Sequence, residues 1–440
     1  MTTQRNSRTR RGRKPQRGSI VLIAVMFAIA MILVISTDFG TSTTTDIFAE
    51  ANYRDQVVAH FLARSALDLG ELVIRIQYRI DNIKALRGLV QLTDFADQLI
   101  MPFCGTNEEV EAAIGLPSSL TKGLGADVGT CGFDGTISSE DSKINVNCAN
   151  NDASWATINA ALNALIYFPA YDYVFDDNAS DGWHRDRPTQ VAAIIDYIDS
   201  NTMQLRNRGT SEDYQYEAGK DPYYAKNTYI DTTGEIRMIR GVDDRFWTLF
   251  GSAMTVYGGC KTNLAALDNT QLIAAILYLS AKNPNDPVIL DPKRLFLLAS
   301  YVSKAKEFGV VFQTYNDFIT FVADPGGDVQ NIAKTDTGST QGAAASSALV
   351  QGLPGLEAGQ SIGLALDRSK LSQIATLSPR RTYRIRAYGE VERQTKNKDG
   401  TPVFPPIRMT YTGIWDNKVV PQNVRKPPMP NGAWVFLKED

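Results

Sequence analysis

The sequence predicts an α+β protein: a long N-terminal helix that crosses a membrane, an antiparallel sheet against its outer half, and a large helical insertion between strands of that sheet. Three observations lead there. Residues Ile20 to Ile35 are uninterruptedly apolar behind a basic N-terminus. Apolar residues then recur at three- and four-residue steps as far as Ile80. Two alternating runs, Thr382 to Tyr388 and Arg408 to Trp415, stand far along the chain from an earlier strand-like stretch at 132–148, with helical sequence between.

At about 1.5 Å per residue, Ser19 to Thr37 as a helix measures roughly 28 Å, close to the ~30 Å hydrocarbon core of a bilayer. Arg5, Arg8, Arg10, Arg11, Arg13, Lys14 and Arg17 precede the segment, with no acidic residue among them. That asymmetry keeps the short N-terminus cytoplasmic and sends residues 38 to 440 across. A cleaved signal peptide requires small residues after the apolar run, and Ile35-Ser36-Thr37-Asp38 fits that poorly. Past the span, Thr41 to Thr45 lowers helix propensity. The period resumes with Val58, Phe61, Leu62, Ser65, Leu69, Leu72, Val73, Ile76 and Ile80, so one helix is expected to run to about Ile83.

Gly132 to Ile137 and Lys143 to Asn147 read as a hairpin turning through Ser138 to Ser142. With a strand near 252–257 and the two alternating runs it would complete the sheet. Helices are expected near 270–282, 292–308 and 315–323. An internal echo, Lys143-Ile144-Asn145-Val146-Asn147-Cys148-Ala149 and Lys261-Thr262-Asn263-Leu264-Ala265-Ala266, each followed by helical sequence, points to a second helical unit. Gly, Ala, Ser, Thr and Gln dominate 325–361, which reads as a flexible connector. The resulting division is 1–18 basic N-terminal segment, 19–83 long membrane-crossing helix, 84–148 region with the hairpin, 149–255 helical insertion, 256–330 second helical unit, 331–361 linker and 362–440 C-terminal strands.

The basic leader ending in Gly18, directly before the apolar helix, resembles the type IV pilin and pseudopilin superfamily. The resemblance implies a pilin-like fold, cleavage between Gly18 and Ser19 by a prepilin peptidase, and Ser19 as mature residue one. Most such proteins carry Glu at mature position five; here Ile23 stands there. A carboxylate in hydrocarbon is costly without a partner, so a subunit with nothing above it in a filament has no use for one. That departure is similar to the K-type minor pseudopilin of type II secretion systems. Ala192 to Asp199, Glu212-Asp213-Tyr214, Asp221-Pro222-Tyr223-Tyr224, Asn227 and Glu235 to Val242 match, in order, the helical domain of that family, which is SAM-like or helix-hairpin-helix-like. The resemblance implies a filament-tip subunit of the inner membrane with its bulk in the periplasm, and other minor pseudopilins, secretin and secreted cargo as partners. A minor subunit of a type IV pilus and a membrane-anchored polymer- or DNA-binding protein are the alternatives.

Removing the seven basic residues of 1–18 leaves 38 basic against 48 acidic residues, a net charge of −10. Such a surface does not favour nucleic acid or anionic lipid. Cys104, Cys131, Cys148 and Cys260 lie beyond the span without C-x-x-C spacing. In an oxidising compartment they read as two disulfides with three connectivities. Cys148 and Cys260 each follow a strand-like run, which favours Cys148–Cys260 and Cys104–Cys131 among the three.

Asp196, Asp199, Asn201, Glu212, Asp213 and Glu217 offer the oxygen ligands that Ca2+ prefers, and members of the resembled family bind calcium in this domain. The spacing is not that of an EF-hand, and the same residues also suit a charged loop with N-cap roles. Residues 235–250 resemble a helix-hairpin-helix, but Asp243 and Asp244 after Gly241 would repel phosphate, so packing is the expected role. With only His60 and His184, and no G-x-S-x-G, H-E-x-x-H or phosphate-binding loop, no enzyme activity is expected.

Overall fold

The structure is a computed structural model that describes residues 17–83, 91–105, 129–135, 137–151, 153–175, 177–178, 184–206, 209–217, 222–307, 310–325, 362–392, 405–419 and 432–439. Of the basic leader only Arg17 and Gly18 fall among these residues, and the expected connector lies almost wholly outside them.

Helix α1, Arg17–Asn82, is continuous. It runs unbroken through 41–45, where the threonine hydroxyls bond back to the preceding turn: Thr41 Oγ1 donates to Asp38 O at 2.9 Å, Thr44 to Gly40 O at 2.7 Å and Thr45 to Thr41 O at 2.9 Å. Every described residue from Ile20 to Glu50 is exposed, and the stretch is long and apolar enough to cross a membrane. Beyond it, Ala59, Ala63, Ala66, Leu67, Val73, Ile74 and Gln77 turn one stripe inward.

That stripe lies on an antiparallel sheet. Helix α2, Ala96–Cys104, leads into β1, Thr130–Phe133, and the disulfide Cys104–Cys131 ties the two together. After β2, Ser138–Ser139, the chain leaves the sheet and returns in β7, Thr382–Val391, β8, Ile407–Asp416, and β9, Ala433–Glu439. The order is β1-β7-β8-β9, with β2 pairing the start of β7. Tyr383, Ile385 and Ala387 of β7 face α1 with Tyr411 and Trp415 of β8, while Arg384, Arg386 and Tyr388 alternate to the other face. Gly389 is where helix and strand approach most closely: a Cβ there would sit 2.2 Å from Ala59 O and 2.4 Å from Ala63 N.

The expected hairpin at 132–148 is not present. β1 and β2 both pair with β7, Phe133 opposite Ala387 and Ser138 opposite Arg384, so the two segments lie end to end along one long strand. A tight turn at Glu140–Ser142 then swings the chain away, and β3, Ile144–Asn145, pairs in parallel with β4, Met254–Thr255, in a separate two-stranded sheet. The strand expected near 252–257 is therefore outside the main sheet. Local alternation told strand from helix but could not tell which strand is the partner.

The insertion has one continuous core, from Ile144 through Phe321 and Val322 to Ile362 and Leu377. Its main helices are α3, Trp155–Ile166; α4, Arg187–Asp196; α5, Asp244–Phe250; α6, Thr270–Ser280; α7, Pro292–Glu307; α8, Tyr315–Ala323; and α9, Arg368–Ile374. Residues 149–255 and 256–330 thus share a core instead of forming separate ones. Residues 362–377, read as the start of the C-terminal strands, belong to it as well.

The sequence echo is a structural one. β3 pairs with β4, and β5, Thr262–Asn263, pairs with β6, Ala375–Thr376, both in parallel. Asn145 Oδ1 accepts from Asn147 N at 3.1 Å and Asn263 Oδ1 from Ala265 N at 3.1 Å. Their amide groups donate onward to Gly258 O and Ser378 O. Thr255 and Thr376, facing them, accept from the second following residue, Tyr257 N and Ser378 N. Two copies of one strand-and-helix unit stand side by side, joined by the disulfide Cys148–Cys260.

Candidate metal centre

Helix α4 begins at a capped turn, where Thr189 N donates to Asp186 Oδ1 at 2.6 Å and Pro188 occupies the first turn. Gln190 to Ile198 are all buried, Val191 to Ile195 as an apolar run, and the helix ends on Asp196, with Asp199 one turn later. Both carboxylates stand at a helix C-terminus, where the backbone dipole disfavours negative charge. The loop returns Glu212 to the same place: Glu212 N donates to Thr202 O at 3.2 Å, and Met203 and Ser211 form a bridge.

One carboxylate oxygen each from Asp196, Asp199 and Glu212 lies within 4.8 Å of the others. Glu212 is 1% exposed, and neither of its carboxylate oxygens has a hydrogen-bond partner. An orphaned buried carboxylate beside two more is costly unless protonated or bound to a cation. Burial, then the charges of Asp199, Asp196 and Asp213, push the Glu212 carboxyl up to about 8. Burial, only partly offset by the bond from Leu205 N at 3.0 Å, pushes Asp196 up to about 7, and burial raises Asp199 too. Three hard oxygen donors on a loop, with no nitrogen or sulfur, suit Ca2+ in chemistry and in flexibility.

Of the six residues expected at this site, three converge. Asn201 Oδ1 accepts from Met203 N at 2.9 Å within its own turn, and Asp213 Oδ1 accepts from Ala225 N at 3.0 Å, twelve residues onward. Glu217 is exposed on the short helix Tyr214–Glu217. Beside the cluster, Tyr197, Tyr216 and Tyr223 form a wall with ring centroids 5.6 and 5.1 Å apart in sequence.

The turn at 235–250 is filled from inside. Arg185, 4% exposed, donates to Gly241 O and pairs with Asp243 at 2.9 Å, while Gln190 Nε2 donates to Arg240 O. Asp243 caps α5 through Phe246 N at 2.9 Å. Burial opposes ionisation of Asp243, yet Arg185 and the capping bond hold its carboxyl down at about 2. The first acidic residue after Gly241 is therefore a cap and an ion-pair partner. Nothing in the sequence marked Arg185 as its counterpart, since the two are far apart in the chain.

The comparisons bear on this region. Residues 178–258, which hold α4, the carboxylate cluster and α5, match the family model described as Type II secretion system (T2SS), protein K, first domain. Among solved structures, the chain is similar to one from the GspK-GspI-GspJ complex of the enterotoxigenic Escherichia coli Type 2 Secretion System, at 14% identity and a TM-score of 0.46, covering 90% of this chain and 99% of that one. No curated protein matches the chain. The architecture is α+β, with the long helix on an antiparallel sheet.

Proposed function

We propose that this chain is a K-type minor pseudopilin at the tip of a type II secretion pseudopilus, anchored in the inner membrane with its bulk in the periplasm, where it helps start filament assembly for protein export. The observation that carries the reading is α1 itself. It is one unbroken helix, bare over the apolar span and packed on a sheet by one face only. Val57, Phe61, Leu72 and Ile76 are exposed on its other side. A stripe of that kind, continuous with a membrane span, suits the helices of smaller minor pseudopilins, and GspK in the similar structure is assembled with GspI and GspJ. Position Ile23 in place of Glu, and the bulk of the helical unit, both favour a subunit with none above it.

Cleavage between Gly18 and Ser19 by prepilin peptidase and a calcium ion held by Asp196, Asp199 and Glu212 belong to the same proposal. Intact mass and N-terminal sequence of the protein from its own membrane test it. A chain beginning at Ser19 that copurifies with smaller pilin-like proteins supports the reading. A chain that keeps residues 1–18, or starts after Thr37, removes it.

A further inference from the structure

Two covalent connections join the sheet to the helical unit, the outgoing turn at 139–144 and the return at 376–382, and they touch where Asp141 binds Arg381 and Thr382. Glu140 and Asp141 occupy that junction, both buried. Glu140 Oε1 accepts from Lys143 Nζ at 2.7 Å in its own turn and from Arg384 Nε at 2.6 Å on β7, while Oε2 accepts from Thr255 Oγ1 on β4. One carboxylate is thus bonded to the sheet and to the helical unit at once. Asp141 binds the sheet side: its carboxylate takes the backbone N–H groups of Arg381 and Thr382, at 3.0 Å for the latter, where β7 begins. On its other side it faces Gly258, where a Cβ would stand 2.8 Å from Asp141 Oδ1. Gly258 in turn is held by Asn145.

We infer that Glu140, with Asp141, is the positioning residue of a rigid joint that fixes the direction in which the helical unit projects from α1. The burial of Glu140 would ordinarily favour its neutral form, but Lys143 and Arg384 outweigh that and hold its carboxyl below its usual value. The carboxylate is therefore charged, fully hydrogen-bonded and shared between two bodies. An apolar contact would let the bodies slide, whereas a buried charge tolerates little displacement from its partners. The inference rests on the joint's geometry and stands whether or not the chain caps a filament.

The test is a distance distribution in the detergent-solubilised full chain, by pulsed electron spin resonance between labels at two exposed positions, Ser65→Cys on α1 and Lys282→Cys on the helical unit. The unaltered joint gives one narrow distribution. Glu140→Gln removes the charge at constant size, and Arg384→Gln removes its partner from the sheet side. Each is expected to widen the distribution at least twofold while near-ultraviolet dichroism of both bodies is retained. An unchanged width in both variants overturns the inference. Loss of the folded spectrum in both overturns it as well, because Glu140 is then part of the fold and not of a joint.

Discussion

Without calcium, the stability of the helical unit should fall as the pH rises from 5 to 8, and calcium should restore it at the upper end. The cause is the cluster of Asp196, Asp199 and Glu212 at the end of α4. Asp196 and Glu212 carry folded-state pKa values of about 7 and about 8 against ordinary values of 3.8 and 4.5. The folded chain then binds these protons more tightly than the unfolded chain. Stability from the neutral pair is fully present below about pH 4 and is lost as the pH climbs through 7 and 8. Moving Asp196 from 3.8 to about 7 corresponds to about 4 kcal/mol, and Glu212 to slightly more. Their mutual repulsion enters both figures, and half-buried Asp199 opens the cluster to water, so we take roughly 3 kcal/mol for the whole.

For a unit of this size, where 1 kcal/mol moves the melting temperature by about 2–4 °C, the drop is about 6–12 °C. Calorimetry of the detergent-solubilised chain in chelator and in millimolar calcium, at about pH 5 and about pH 8, measures it. The expected pattern is a large calcium-dependent rise at the higher pH and little at the lower, where protons already neutralise the site. Glu212→Gln should abolish the calcium response and yet raise the melting temperature of the metal-free protein at the higher pH. Equal melting temperatures at both pH values, with a calcium shift below about 1 °C, would refute the reasoning.

Three further outcomes follow from the packing. Replacing both Cys148 and Cys260 by Ser opens a loop of 112 residues and should cost about 5 kcal/mol in denaturant unfolding, against about 3.5 kcal/mol for the 27-residue Cys104–Cys131 loop. The opposite order would show that strain or contacts, and not loop length, set the disulfide contributions. Gly389→Val forces α1 off β7 and should lower stability by about 3 kcal/mol or more, whereas a change under about 0.5 kcal/mol would mean that the helix sits further out. Arg185→Ala leaves the Gly241 carbonyl without its donor, while Asp243 keeps the bonds from Phe246 N and Arg245, and the expected loss is about 1–3 kcal/mol by chemical denaturation. Arg185→Lys should recover only part of it, because a single ammonium does not span both acceptors.

Much of this was legible because it is local. An apolar run behind a basic leader, a three-to-four-residue period and two alternating strands need only their neighbours to be read, and α1, β7, β8 and helices α6 to α8 lie within a few residues of where the periodicity puts them. What was not legible depends on distant partners. Alternation at 132–147 shows two extended pieces. It does not show that β1 and β2 align along β7, more than two hundred residues onward, because the deciding contacts are those of Glu140 and Asp141 with Arg384, Arg381 and Thr382. β9 escaped notice because it is short and follows a Pro-rich stretch. At the candidate metal centre, residue type selected six candidates and geometry brings three together, since Asn201 Oδ1 and Asp213 Oδ1 each already accept a backbone N–H, from Met203 and Ala225.

The internal repeat sharpens the metal reading. In the first unit, α4 is followed by a long excursion, through 197–232, before the turn at Thr233–Met238; in the second, α7 reaches α8 within a few residues. That short junction is closed by an apolar plug: Phe312 is buried, with its ring 5.1 Å from Phe318 and 5.3 Å from Phe321. At the neck of the long excursion the buried rings of Tyr197 and Tyr216 stand beside the carboxylates of Asp196, Asp199 and Glu212, so there an aromatic contact shares the closure with three acidic groups. Closing a longer loop costs more entropy, and charges that repel one another do not meet that cost unless a cation draws them together. Amide hydrogen exchange should therefore show calcium-dependent protection at the end of α4 and at Thr202, Leu205 and Glu212, with the α7–α8 junction unchanged. Protection spreading equally to both junctions would mean that calcium acts on the shared core instead of the neck. Protection at neither would leave the three carboxylates as a protonated cluster, closed by hydrogen ions alone.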